Sequence, residues 1–316
     1  MKLLVIRFSA IGDLILTAPV LEALRLSGAE VHLLCKERYQ SIAELLPGPT
    51  RIWNYERIKT HLLRDEFISS QGITAVLDLQ GTAQSKRWTK GLKVPVRTYA
   101  KPYVKRFLLT ALKHKSLALD PIVARYTRAA GDWLSAEVKR VPLKLQAPDQ
   151  SRAPYLCLVL GGTHAGKRLS TQQWQTYLNA LQWQGPITVL GTLDELEENA
   201  ALDLDQRTTL TSGSLEQAIA CVAGAACVVV GDTGLMHAAA AMNVPMVVYW
   251  GSTHPYLGFE PYAPHNKTRY AITASRLSPA HKHGKVPAWM PNPARKINMA
   301  EMAAFTEQIL QDRTTP

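Results

Sequence analysis

Asp232, Thr233, Gly234 and His237 stand together in the run 231–241, Gly-Asp-Thr-Gly-Leu-Met-His followed by four alanines. An apolar stretch, 227–230, ends immediately before it, and the alanines favour a helix after it. A glycine-flanked turn between strand and helix presents backbone N–H groups to a phosphate. His237 falls one turn into that helix. Asp232 and Thr233 place a carboxylate and a hydroxyl at the strand end. Taken singly, Asp232 or Thr233 reads as a helix cap and His237 as a core residue. Taken together, in a strand–turn–helix setting, the four read as a ligand site.

A second group is Gly161-Gly162-Thr163-His164-Ala165-Gly166-Lys167-Arg168, again between an apolar stretch and a helical pattern. Its spacing fits a phosphate loop as far as Lys167. The following position is Arg168, where a magnesium-dependent loop needs Ser or Thr. The expectation is a phosphate loop with Lys167 as its point charge and no metal. Asp13, beside Gly12 after the first apolar stretch, is a candidate general base; taken alone it reads as a helix cap. Asp203-Leu204-Asp205 has the form of a metal-holding D-x-D but falls at the expected end of a surface helix, so it reads as solvated charge.

The 36 Lys and Arg against 25 Asp and Glu give a net charge of +11. The distribution says more than the total. Residues 79–119 contain ten Lys or Arg and no acid, with Trp88, Tyr99, Tyr103 and Phe107 interleaved. Residues 261–300 repeat the pattern with seven Lys or Arg and again no acid. Such runs call for a polyanionic partner, nucleic acid or an anionic lipid headgroup. None of the short nucleic-acid-binding signatures is present.

The elements that position these residues alternate. Apolar stretches at 2–8, 31–34, 52–55 and 74–77 read as strands, with helical patterns at 42–46 and 58–68 and a second helix after Thr17 with Pro19 in its first turn. After a proline-containing linker at 141–154 the rhythm restarts, with strands at 155–160, 187–190, 227–230 and 246–249. Helices are expected at 172–184, 195–204, 215–222, 235–242 and 299–310. Strands alternating with helices predict parallel sheets and right-handed crossovers. The fold class is α/β, with two Rossmann-like domains, 1–147 and 148–316, and a ligand cleft at the carboxyl ends of their strands. With 47% hydrophobic and 19% charged residues, the chain is neither disordered nor collagen-like. Four scattered cysteines make no disulfide framework or zinc set. No signal peptide or membrane-spanning stretch is evident, so a cytoplasmic protein is expected.

Together these residues resemble glycosyltransferase family 9, the bacterial ADP-heptose:lipopolysaccharide heptosyltransferases. The resemblance rests on LLVIRFSAIGDLILTAPVLEALR at 3–25, LDLQGTAQSKR at 77–87, GGTHAGKRLSTQQW at 161–174 and the long motif at 213–255 containing D-T-G-x-x-H-x-A-A-A. It implies the GT-B arrangement, with the acceptor on the first domain, the nucleotide sugar on the second, and the last helix packing back across the first. It implies Asp13 as general base of an inverting, metal-independent transfer. Thr163, Lys167, Glu195, Asp232, Thr233, Gly234 and His237 would form the donor site. Ser9, Gly12, Gln80, Lys86, Arg87 and Arg97 would face the acceptor. The implied partners are an ADP-sugar, a substrate rather than a cofactor, and the anionic lipopolysaccharide core at the inner membrane, where the enzyme would sit peripherally, with no nucleic acid. The alternatives are a related transferase with another nucleotide sugar, a phosphate-loop nucleotide-binding protein such as an ATPase or kinase with Asp232 on magnesium, and a basic module that holds RNA or anionic lipid without chemistry.

Overall fold

The computed structural model describes residues 1–145 and 153–314. Those residues form two compact units, Met1–Pro102 with Pro121–Leu145, and Tyr103–Asp120 with the chain from Gln146 onward. The linker expected at 141–154 falls largely on 146–152, outside the described residues.

The first unit is built on β1 (Lys2–Ile6), β2 (Glu30–Cys35), β3 (Arg51–Asn54), β4 (Ala75–Asp78) and β5 (Val96–Thr98). They form one sheet in the order β3-β2-β1-β4-β5, every pair parallel. β1 lies at the centre, and Leu3, Leu4, Val5 and Ile6 are completely buried. Burial on both faces is why its sequence is an unbroken apolar run rather than an alternation. Helices α1 (Ile11–Ile15), α2 (Ala18–Leu26), α3 (Gln40–Glu44), α4 (His61–Ser70) and α5 (Ala83–Thr89) connect these strands. Thr17 opens α2 as expected in place, but its hydroxyl donates to the Leu14 carbonyl at 2.6 Å instead of capping the helix.

After β5 the chain makes α6 (Tyr103–Leu112) and α7 (Ile122–Ala130), then the second sheet. That sheet contains β6 (Leu156–Val159), β7 (Ile187–Leu190), β8 (Thr208–Thr211), β9 (Cys227–Gly231), β10 (Met246–Trp250) and β11 (Arg269–Ile272). Its order is β11-β10-β9-β6-β7-β8, all parallel. Helices α8 (Thr171–Ala180), α9 (Leu193–Glu198), α10 (Leu215–Gly224), α11 (Gly234–Ala241) and α12 (Met299–Thr314) complete the unit. Trp174 of α8 meets Tyr249 of β10 edge-on at 5.9 Å, inside the core.

Two placements differ from the sequence expectation. The segment Tyr103–Asp120, expected in the first domain, groups with the second unit: Leu119 donates its N–H to the Tyr256 carbonyl at 2.8 Å, and Leu109, Leu119 and Leu257 share a small core. The last helix, α12, expected to return across the first domain, packs on the second sheet. Met302, Ala303, Ile309 and Leu310 enter that core, and the Tyr177 hydroxyl donates to Thr306 at 3.0 Å. Asp203 and Asp205 lie beyond the end of α9; Asp205 is exposed and paired with Arg207.

Candidate functional site

In the first unit the site grows from the carboxyl end of β1. Arg7 follows the strand and is 5% exposed. A buried guanidinium needs polar partners, and here each of its three nitrogens has at least one. Its Nε donates to the Ser9 carbonyl at 2.7 Å, and Nη1 to the Leu79 carbonyl at 2.7 Å and to the Tyr126 hydroxyl at 2.8 Å. Its Nη2 pairs with one carboxylate oxygen of Asp13. Burial opposes the charge, yet Asp13, Tyr126 and Tyr99 hold the guanidinium pKa above its ordinary value. Asp13 lies in the first turn of α1, whose N-cap is Ala10, so the capping role is not the one it takes. Its side chain remains 27% exposed.

The neighbouring βα turn holds this loop in place. Asp78, fully buried at the end of β4, accepts from the Gln80 and Gly81 N–H groups at 2.9 Å each and from the Ser85 hydroxyl at 2.7 Å. Burial raises its pKa, against the pull of those three donors. Gln80 in turn accepts the Phe8 N–H at 3.1 Å, tying β4 to the residue after Arg7. Gln80 is thus a buried support of the Asp13 loop. Lys86 and Arg87 stand exposed on α5, and Ser9 and Gly12 lie half-buried in the loop itself. Arg97 is occupied elsewhere: it bonds the Ala130 carbonyl, pairs with Asp132 and stacks over Trp133 at 4.0 Å.

In the second unit the two motifs read separately from the sequence meet. Lys167 Nζ lies 2.8 Å from Asp232 Oδ2, with Asp232 5% exposed. Thr233 occupies the N-cap position of α11 without making a side-chain cap, and Gly234 opens the helix. By contrast α5, α8, α9 and α10 are each closed by a reciprocal capping box. An uncapped first turn keeps its N–H groups and positive dipole end available for an anion. His237 is 6% exposed within the same turn, and Thr163 is exposed in the loop. Glu195 reaches the same loop from α9: it accepts the Gly162 N–H at 3.3 Å while closing the α9 capping box through Thr192 N–H at 2.9 Å.

The loop is held by close backbone approach. A Cβ on Gly166 would sit 1.5 Å from Ser252 Oγ, so only glycine fits there. Gly166 donates to the Gly284 carbonyl at 3.2 Å and accepts from Ser252 N–H at 2.9 Å. Gly284, with φ of +76°, ends a basic turn, His281-Lys282-His283, that lies over the phosphate loop. Burial first, and then neighbouring cations, push His164, His281 and His283 below the ordinary histidine value. The fixed positive charges around that turn are Lys167, Lys282, Lys285 and Arg106.

The sequence profile of glycosyltransferase family 9 (heptosyltransferase) matches residues 66–285. This chain belongs to glycosyltransferase family 9. It is 25% identical over 302 residues to lipopolysaccharide heptosyltransferase 1 of Pseudomonas aeruginosa, covering 81% of this chain and 80% of that protein. Among solved structures, a family 9 glycosyl transferase from Veillonella parvula has a TM-score of 0.77 at 14% identity, over 98% of this chain and 97% of the other. The ADP-heptose lipopolysaccharide heptosyltransferase II of E. coli has a TM-score of 0.74 at 18% identity, over 99% of each chain. These likenesses establish the GT-B fold class.

Two residues that position these loops, Arg7 and Asp78, were not among the sequence candidates. Arg7 was visible as a lone cation ending a buried apolar strand, and Asp78 as an acid ending another just before a glycine. Each is a charge where the pattern predicts burial, which is a signal for a partnered, positioning role. Among the described residues, no three His, Cys, Asp or Glu side chains cluster as a metal would require.

Proposed function

We propose that this family 9 chain transfers heptose from ADP-heptose to the Kdo/heptose inner core of lipopolysaccharide, by a single inverting displacement that needs no metal. The observation that carries the reading is the Lys167–Asp232 pair at the uncapped start of α11. A lysine held by one carboxylate beside free helix N–H groups suits a diphosphate, which can take over the ammonium while the dipole end takes its second charge. Of the relatives named above, the Pseudomonas aeruginosa protein is described as a lipopolysaccharide heptosyltransferase and the E. coli one as an ADP-heptose lipopolysaccharide heptosyltransferase.

In the proposed reaction Asp13 accepts the proton of an acceptor hydroxyl while that oxygen forms a bond to the anomeric carbon. The bond from that carbon to the diphosphate oxygen breaks, and its electron pair leaves with ADP. Arg7 holds Asp13 by one carboxylate oxygen, which fixes its direction and leaves the other to take the proton. Lys167, His237 and the α11 N-terminus stabilise the charge that grows on the departing ADP. Asp232 keeps Lys167 positioned between turnovers. Thr163 and Glu195 line the nucleotide side of the same loop. Lys86 and Arg87, in a stretch free of acids, supply the field for a phosphorylated acceptor, with Ser9 and Gly12 giving close backbone approach. Arg97, committed to Asp132 and Trp133, is given no acceptor role. The acceptor being lipid-borne, the enzyme works at the cytoplasmic face of the inner membrane. No helix among the described residues is long and apolar enough to cross it.

The test is ADP release from ADP-heptose with a Kdo–lipid A acceptor, in excess EDTA, with the product's anomeric configuration read by NMR. Turnover with inversion under EDTA is expected. Loss of activity on chelation, or retention of configuration, would overturn the mechanism. A thermal-shift panel of ADP-, UDP- and GDP-sugars checks the donor, since a bound donor raises the melting temperature.

A further inference from the structure

α6 is a ten-residue helix that buries one side chain. Leu109 is fully buried against Leu119 and Leu257. The apolar residues of the outer face remain in solvent: Val104 is 74% exposed, Phe107 69% and Leu112 66%, with Leu108 and Tyr103 also exposed. Their spacing, 104, 107, 108 and 112, places them on one side of the helix. A helix of an ordinary globular protein turns this stripe inward, so its outward direction requires an apolar partner.

The chemistry around the stripe identifies that partner. Lys105 and Lys115 are exposed beside it, Arg106 and Lys113 half-exposed, and no acid occurs anywhere in residues 79–119. The guanidinium of Arg106 lies over Tyr103 at 5.1 Å. Burial first, and then neighbouring cations that include Arg106, hold Lys282, His281 and His283 below their ordinary values, so the 281–283 turn lies within reach of the helix. The chain just beyond that turn exposes Trp289 at 80%. An apolar stripe with Tyr103 at its start, flanked by Lys and Arg in a stretch without a single acid, matches the boundary between acyl chains and anionic headgroups. A second copy of this chain does not fit, because a two-fold contact would set these cations against their own kind. Nucleic acid offers nothing to Val104 or Leu112.

We infer that α6, with the basic 281–283 turn within its reach, is a docking surface for an anionic lipid bilayer, entered by Val104, Phe107 and Leu112. This deepens the proposed function, on which it rests for its purpose: it would bring the second unit to the surface that carries a lipid-borne acceptor. Charge gathers the protein at the membrane, and the stripe then inserts to headgroup depth.

The experiment is flotation of the full chain with vesicles of phosphatidylethanolamine and phosphatidylglycerol, against vesicles of phosphatidylcholine alone. Wild type is expected to float with the anionic vesicles, and less as salt screens the cations. The V104D/F107D variant changes only exposed positions. It is expected to lose roughly tenfold or more in partitioning, while ADP raises its melting temperature as in wild type. Its turnover should hold on a deacylated, water-soluble acceptor and fall on the same acceptor embedded in vesicles. Wild type that fails to float, or a variant that floats equally, overturns the inference. So does a wild-type dimer that the variant converts to monomer without loss of flotation, or RNA binding that the variant loses while flotation persists. If wild type floats and the variant does not, but neither releases ADP with either acceptor, the docking surface stands and the proposed reaction falls.

Discussion

Each unit presents an acid after a central strand and pairs it with a cation, but the two pairs are built differently. Arg7 is buried and committed to three groups besides Asp13, so the pair is fixed and its free end is the Asp13 oxygen. Lys167 is half-buried, sits on a loop and makes one ion pair, to an Asp232 that is itself buried. There the movable end is the cation. A fixed acid suits directed proton removal, and a movable ammonium suits capture and release of a diphosphate. Under the proposed reaction, similar βα turns become a base or an anion holder according to which partner the fold immobilises.

Asp13 is the residue whose loss should cost most. D13N is expected to lower turnover at least about 100-fold, the scale of general-base loss, with the enzyme still folded; near-normal ADP release would remove Asp13 from that role. K167A is expected to cost roughly 100-fold or more in kcat/KM, because it removes a preorganised charge from the leaving group. R7K sharpens the contrast. It keeps the charge but loses the planar fork, so Asp13 loses its direction. A fall of about tenfold in kcat with little change in donor KM is expected, and kinetics at saturating acceptor would read it.

The smallest effect is on stability. His164, His254, His281 and His283 all lie in the second unit with pKa values pushed down, burial being the leading cause, His283 to about 4. Between those values and the ordinary value of about 6.5, the unfolded chain binds more protons than the folded one. Stability of the second unit therefore falls as pH drops through that window. Hydrogen exchange at about pH 7 and about pH 5.5 should show protection lost in the second unit more than in the first; equal loss would contradict the assignment.

Much of this was legible because the central strands are buried on both faces. β1, β9 and β10 announce themselves as unbroken apolar runs. The edge strands β5, β8 and β11 did not, because VRT, TTLT and RYAI are short, partly exposed and polar or charged, as edges must be. α6 was hidden for a related reason. Its stripe points outward, so the stretch read as charge with aromatics rather than as a helix seeking a core. At the site, residue types and turns were readable, while partnerships were not. Nothing in the sequence joins Lys167 to Asp232, or assigns Arg7 to Asp13 over another acid; the sheet order does, by bringing β6 beside β9 and setting Arg7 between the Leu79 carbonyl and Tyr126. Arg97 shows the converse: a plausible acceptor cation by type, it is taken by Asp132 and Trp133.

In the proposed reaction the acid of the first unit performs chemistry while the cation of the second holds the nucleotide. Calorimetric titration of ADP into D13N and K167A, beside wild type, tests it most directly. The account predicts that D13N binds ADP within about twofold of wild type and that K167A binds it at least about tenfold more weakly, a difference of some 1.4 kcal/mol. Weakened binding by D13N, or unchanged binding by K167A, would contradict it.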